Sequence, residues 1–139
     1  MAEARIKWVD GLRFVGYAGS KYSIVMDAGE NVGGEDSGVR PGELPLIALG
    51  GCTGIDVVSI LNKMRVSFKD IEIIVAGESA PEHPKYFTKI EVKYIVKGKN
   101  LPEDKIRKAI ELSQERYCSV SESLRRNVEV NHSLELVDE

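Results

Sequence analysis

The chain has 139 residues, 29% of them charged, and a formal net charge of −3. That is the size of one domain with an ordinary soluble surface, and it offers no basic excess to hold nucleic acid. With two cysteines and two histidines, no metal-ligand spacing can be assembled from short motifs, so no metal is expected.

Residues 1–139 read as a single domain, long enough for one sizeable core. Met1-Ala2-Glu3-Ala4-Arg5 leads straight into alternating sequence without the apolar stretch of a signal peptide, and a cytoplasmic location is the expectation. In that compartment a cysteine pair is more often catalytic or redox-active than a structural staple. Ile6 to Val9 and Leu12 to Val15 flank Asp10-Gly11, a strong hairpin signal, and Tyr22 to Asp27 makes a third short strand. A turn on Asp10-Gly11 would set Trp8 opposite Arg13, on the face that carries Ile6, Val15 and Tyr17. This is the more apolar face, so Arg13 would point inward and need a partner. The alternative is an edge guanidinium stacked on Trp8. Residues 29–42 are rich in glycine but lack the lysine-serine end of a phosphate loop, and they read as a mobile loop.

Glu43 to about Met64 reads as one long helix opened by Pro45 in its first turn. Its spacing places Cys52, Asp56, Ser59 and Lys63 on one stripe, while Leu46, Leu49, Val57, Ile60, Leu61 and Met64 cover much of the rest. Gly50, Gly51 and Gly54 surround the thiol, and glycine inside a helix costs roughly 0.5–1 kcal/mol relative to alanine, so close approach of a backbone or a ligand is implied. Cys52 is therefore either a poised thiol or a buried packing residue. Asp56, Asn62, Lys63 and the glycines make the segment a poor membrane span, and no membrane association is expected.

Ile71 to Gly77 predicts a strand and Ala80 to Pro84 a turn. Thr88, Ile90, Val92, Tyr94 and Val96 alternate with lysines and a glutamate, the clearest half-buried strand in the chain. Asn100 caps and Pro102 opens a second helix with Ile106, Ala109, Ile110, Ser113 and Tyr117 inward. Ser119-Val120-Ser121-Glu122 has the form of a capping box, which sets Cys118 at a junction of two helices. The last strand, Val128 to Val137, places His132 among Val128, Val130, Leu134 and Leu136 as a core or interface residue.

Two stretches together carry a resemblance: Arg40-Pro41-Gly42-Glu43-Leu44 through Ala48-Leu49-Gly50-Gly51-Cys52-Thr53, and later Glu115-Arg116-Tyr117-Cys118-Ser119-Val120-Ser121. In that order they resemble the family of osmotically inducible protein C and the organic hydroperoxide resistance proteins (OsmC/Ohr), and within it the less-characterised OsmC-like branch. The resemblance implies an α+β fold with antiparallel sheets packed around a long buried central helix, in an intertwined homodimer. It implies thiol-dependent reduction of organic hydroperoxides, with Cys52 peroxidatic and Cys118 resolving. An external dithiol reductant such as a lipoylated protein would restore the thiols, and no bound cofactor is implied. The family's thiolate-supporting arginine falls on Arg13, with Arg40 the next candidate. Its supporting glutamate position falls on Gly42, with Glu43 in the neighbouring place.

An unperturbed thiol of pKa about 8.5 needs a downward shift of roughly 1–2 units for useful activation at neutral pH. The helix dipole is weak two turns in and Asp56 opposes the shift, so a cation such as Arg13, oriented by Glu43, is required. Three readings follow: a thiol peroxidase for a partly apolar hydroperoxide, a hydrophobic small-molecule binding protein with the cysteines as packing, and a cysteine acyl-transfer enzyme that lacks a paired histidine. One apolar helix under few short strands also argues for a homodimer to cover the remaining face.

Overall fold

The computed structural model describes residues 1–139, which gather into two compact units, Met1–Leu44 and Pro45–Glu139. The N-terminal unit is a three-stranded antiparallel sheet in the order β1 (Arg5–Asp10), β2 (Arg13–Tyr17), β3 (Ile24–Met26). The hairpin expected to turn on Asp10-Gly11 turns instead on Gly11-Leu12. Gly11 takes a φ of +47°, which suits glycine at that place, and an irregularity between Trp8 and Asp10 absorbs the extra residue. Trp8 consequently pairs with Phe14, and Arg13 pairs with Asp10. A slip of one residue moves a side chain to the other face of a sheet. Arg13 therefore shares its face with Val15 and Tyr17, while Ile6, Trp8 and Phe14 lie on the opposite one. Trp8 Nε1 donates to the carbonyl of Gly11 at 2.9 Å. Ile6 and Trp8 remain more than half exposed, so the apolar face expected to meet a core is open in the single chain.

The loop read as mobile is pinned by one carboxylate. Asp27, 3% exposed, accepts from the N–H groups of Ala28, Glu35 and Ser37 and from the Ser37 hydroxyl at 2.7 Å. The Ser37 hydroxyl is the largest of the effects that hold its pKa down at about 2. Gly34 sits where a Cβ would fall 2.1 Å from the Ala28 carbonyl oxygen, so the loop needs glycine for its close return.

A 3-10 turn, Pro41–Glu43, leads into α1 (Leu44–Lys63), close to the expected bounds. The turn itself lies in the N-terminal unit. Glu43 Oε2 accepts the Arg40 backbone N–H at 3.3 Å, as a helix-capping glutamate does. Leu49, Thr53, Val57 and Leu61, one turn apart, form the fully buried stripe. Gly50 and Gly54 allow α1 to press on a second sheet. A Cβ on Gly50 would lie 3.2 Å from Val75 and one on Gly54 would lie 3.0 Å from Ile73, whereas Gly51 faces open space. The helix expected to be buried is covered only in part, since Ile47 and Ile55 are 57% and 74% exposed. The segment Pro41–Lys63 is long and apolar enough to cross a membrane by length and composition alone.

The second sheet runs β4 (Asp70–Ser79), β5 (Phe87–Gly98), β6 (Glu129–Asp138). Alternation on β5 buries Ile90, Val92, Tyr94 and Val96. The expectation of antiparallel sheets fails at one pair: β4 and β5 are antiparallel, but β5 and β6 are parallel. The chain leaves β5 and crosses back through α2 (Glu103–Leu112), a π turn (Ser113–Tyr117) and α3 (Ser119–Arg125), so β6 restarts at the end where β5 began. His132 on β6 is exposed rather than part of the core.

Candidate active site

Cys52 occupies the middle of α1 and is half-buried, while Cys118 follows the π turn and is 3% exposed. Both are free thiols. One donor atom from each of Cys52, Asp56 and Cys118 lies within 4.8 Å of the other two. The helix supplies two of these, since Cys52 and Asp56 are one turn apart.

The third arrives through the π turn. The Cys118 N–H donates to the Ser113 carbonyl at 2.8 Å, five residues back, which widens the turn by one residue. The wider turn brings Ser113 and Gln114 inward together and swings Tyr117 out to 58% exposure, against the inward position that regular spacing predicts for it. Cys118 then caps α3 with its own sulfur, accepting the Ser121 N–H at 3.4 Å, rather than leaving the cap to Ser119. Burial pushes the Cys118 thiol up to about 11. The neighbouring Cys52 and Asp56 add to the rise, and the Ser121 N–H partly offsets it.

Beside the thiols runs a buried polar chain that no local motif announced. Gln114 Nε2 donates to the Tyr94 hydroxyl at 2.6 Å, the Tyr94 and Thr53 hydroxyls are 2.6 Å apart, and the Thr53 and Ser113 hydroxyls are 2.7 Å apart. Ser113 Oγ donates to Asp56 Oδ2 at 2.9 Å. Because Ser113 spends its proton on Asp56, the direction of every hydroxyl follows: Tyr94 donates to Thr53, Thr53 to Ser113, and Ser113 to Asp56. At the other end the Ser121 hydroxyl donates to Gln114 Oε1 at 2.9 Å. No buried side-chain polar atom lacks a partner. Burial raises the Tyr94 pKa, which keeps its hydroxyl a donor. Strand alternation alone puts Tyr94 inward, where its hydroxyl needs a partner, so that member was detectable. Gln114 was not, because only the π turn turns it in.

Asp56 also lines a cavity of about 560 Å³ with Ile60, Lys63, Met64, Leu112 and Tyr117. A shallower apolar groove of about 470 Å³ lies between α1 and β4, with Leu46, Ile47, Val58 and Ile73 in its walls.

Arg13, Arg40 and Glu43 belong to the N-terminal unit. Arg13 is held by Asp10 at 3.0 Å and by Glu35 at 2.6 Å, and Glu43 is not among its partners. Arg40 binds Asp36 at 2.6 Å and the Gly38 carbonyl at 3.0 Å.

The family model described as OsmC-like protein matches residues 34–133, a stretch that contains both cysteines. The chain belongs to the OsmC family. Protein YhfA of Escherichia coli K12 is 42% identical over 135 residues, covering 97% of this chain and 98% of the relative. The crystal structure of a hypothetical protein from Aquifex aeolicus superposes with a TM-score of 0.86 at 32% identity, covering 100% of this chain and 98% of the other. An organic hydroperoxide resistance protein, OsmC, of Legionella pneumophila shares the OsmC fold at a TM-score of 0.71 and 16% identity, over 97% of this chain and 96% of its own.

Proposed function

We propose that this OsmC-family chain is a thiol-dependent peroxidase for organic hydroperoxides. The observation that carries the reading is the approach of a half-exposed Cys52 to a buried Cys118, with donor atoms no more than 4.8 Å apart. The Cys52 thiolate attacks the peroxide oxygen, the O–O bond breaks, and the alkoxide leaves as the alcohol after taking a proton. Cys52 is then a sulfenic acid. The Cys118 sulfur attacks it, water departs, and a disulfide forms that protects Cys52 from further oxidation. An external dithiol, such as a lipoylated protein, returns both thiols.

The roles come from the family resemblance, and burial supports them. Burial pushes the Cys118 thiol up to about 11, which favours it as the resolving thiol rather than the one that meets the peroxide first. The Ile60, Met64 and Leu112 walls of the cavity that Asp56 lines favour a partly apolar hydroperoxide. By resemblance, Arg13 is the residue that supports the thiolate. Arg13→Ala should slow Cys52 alkylation about ten- to a hundredfold at neutral pH and lose less at higher pH. The same result with Arg40→Ala in its place would move the role to Arg40.

The homodimer belongs to the same reading. Ile6, Trp8, Leu12 and Phe14 of the N-terminal unit and Ile47 and Ile55 of α1 are all exposed, apolar surface that a second copy would cover. Sedimentation should give a dimer at micromolar concentration. A second reading, binding of a hydrophobic small molecule without turnover, is favoured by a cavity of about 700 Å³ in the N-terminal unit lined by Ile6, Leu12, Phe14, Met26 and Val32. Turnover of tert-butyl hydroperoxide with a dithiol reductant separates the two. The peroxidase reading requires that Cys52→Ser abolish consumption, and equal consumption by variant and unmodified protein would overturn it.

A further inference from the structure

We propose that the reduced Cys52, Asp56 and Cys118 form a binding site for a thiophilic divalent cation of the zinc type, with both thiolates and one carboxylate oxygen as ligands and water in the fourth position. The three donor atoms already lie within 4.8 Å of one another. A tetrahedral zinc with Zn–S about 2.3 Å and Zn–O about 2.0–2.2 Å holds its ligand atoms roughly 3.5–3.8 Å apart. Closing the cluster on the ion thus needs movements of about 1 Å, within reach of side-chain rotation. Two sulfurs and one carboxylate select zinc over magnesium or calcium, which prefer all-oxygen shells.

The surroundings hold the donor atoms in place. Ser113 Oγ donates to Asp56 Oδ2 at 2.9 Å and leaves the other carboxylate oxygen free for an ion. Ser121 N–H donates to the Cys118 sulfur at 3.4 Å and fixes where that sulfur points. Such outer partners orient the ligands of metal sites. Ser113 is itself fixed from behind by Thr53 and Tyr94, so one end of the cluster is rigid. On the other side Asp56 opens on the cavity of about 560 Å³, which gives the ion a path and its water a place. Short-motif spacing missed the site because Cys118 is brought to Cys52 and Asp56 only by the fold.

Binding releases two protons, one from each thiol, and converts two thiols, one carboxylate and a dication into a complex of net charge −1. Metal and disulfide exclude each other, since oxidation of the pair removes two of the three protein ligands. On the peroxidase reading this makes the ion a brake that oxidation releases. The binding itself does not depend on that reading.

The probe is Co2+, added anaerobically to the reduced full-length protein and then displaced by Zn2+. The expected result is a sulfur-to-cobalt charge-transfer band and tetrahedral visible bands that saturate at about one equivalent per chain and vanish on adding zinc. Cys118→Ser should lose most of the charge-transfer band. Asp56→Asn should keep a thiolate band but bind at least about tenfold more weakly, and Ser113→Ala should weaken binding about tenfold. Protein of unchanged sequence alkylated at both thiols, in which no mutation can have disturbed folding, should show no band. Absence of the charge-transfer band in the reduced protein, binding that survives alkylation, or unchanged affinity in Asp56→Asn would overturn the proposal. Peroxide turnover measured on metal-free protein reports separately on the peroxidase reading, so failure of either leaves the other standing.

Discussion

In the N-terminal unit the only fully buried positions are Gly16 and Asp27, whereas the C-terminal unit buries Leu49, Val57, Leu61, Tyr94, Ile106 and Ile110 at 2% exposure or less. The first is organised by a carboxylate that gathers loop N–H groups, and its apolar side chains stay outside. The second packs an apolar core and sets within it a polar chain leading to the thiols. On the peroxidase reading, the contrast assigns the thiol chemistry to the C-terminal unit. A reactive pair needs its members held in place, and the rigid core of the C-terminal unit supplies that hold, while the N-terminal sheet offers exposed apolar surface that suits an added partner.

The largest difference should appear on truncating apolar side chains. Leu49→Ala, fully buried in the C-terminal core, should cost roughly 2–5 kcal/mol in urea unfolding. Ile6→Ala, 58% exposed in the single chain, should cost about 0.5 kcal/mol or less if the sheet stays open. A cost for Ile6→Ala that approaches that of Leu49→Ala and grows with protein concentration would show the sheet covered by a second copy.

Next is the polar chain. Thr53→Val keeps the shape of the side chain but removes the acceptor of the Tyr94 hydroxyl proton and the donor to Ser113, so about 1–3 kcal/mol should be lost. It should also loosen Asp56 and slow disulfide formation between the cysteines. A stable Thr53→Val protein with unchanged thiol chemistry would show that the chain is only packing.

The helix glycines give a smaller effect of opposite signs. Gly51→Ala meets nothing within 4 Å and should stabilise the chain by about 0.5–1 kcal/mol, while Gly54→Ala meets Ile73 at 3.0 Å and should lose stability. Thermal unfolding of both variants reads the signs directly. Loss rather than gain at Gly51 would place a neighbouring molecule on that face.

The mildest test uses pH, because the two units should fail at opposite ends. Asp27 has its pKa lowered from 3.8 to about 2, so its contribution is full above pH 3.8 and is lost as pH falls through about 2. Cys118 is raised from 9.0 to about 11, so its contribution is full below pH 9.0 and is lost as pH rises through about 11. Asp27→Asn should flatten only the acid limb of a stability profile, and Cys118→Ala only the alkaline limb.

Much of the fold was legible in the sequence. The alternation of β5 and the apolar density of α1 fall where their periodicities put them, while α2 starts at Glu103 with Pro102, not Asn100, at the cap position. The parallel pairing of β6 was not legible, because strand periodicity is the same in either direction and only the crossover sets it. Arg13 was set on the wrong face because the turn moved by one residue, a choice made by the conformation of Gly11 and by the Asp10–Arg13 ion pair at 3.0 Å. At the site, Cys52 and Cys118 stood out as residue types in family motifs. The polar chain did not, because Thr53, Ser113 and Gln114 acquire their meaning only when α1, β5 and the π turn meet.

The direct test of the paired thiols is a single-turnover experiment on the reduced protein, with one equivalent of organic hydroperoxide followed by alkylation and peptide mass spectrometry. The expected product is an intramolecular Cys52–Cys118 disulfide, formed at the expense of both alkylatable thiols and absent in Cys52→Ser. Sulfinic acid on Cys52 with Cys118 still fully alkylatable, or both thiols untouched, would contradict it.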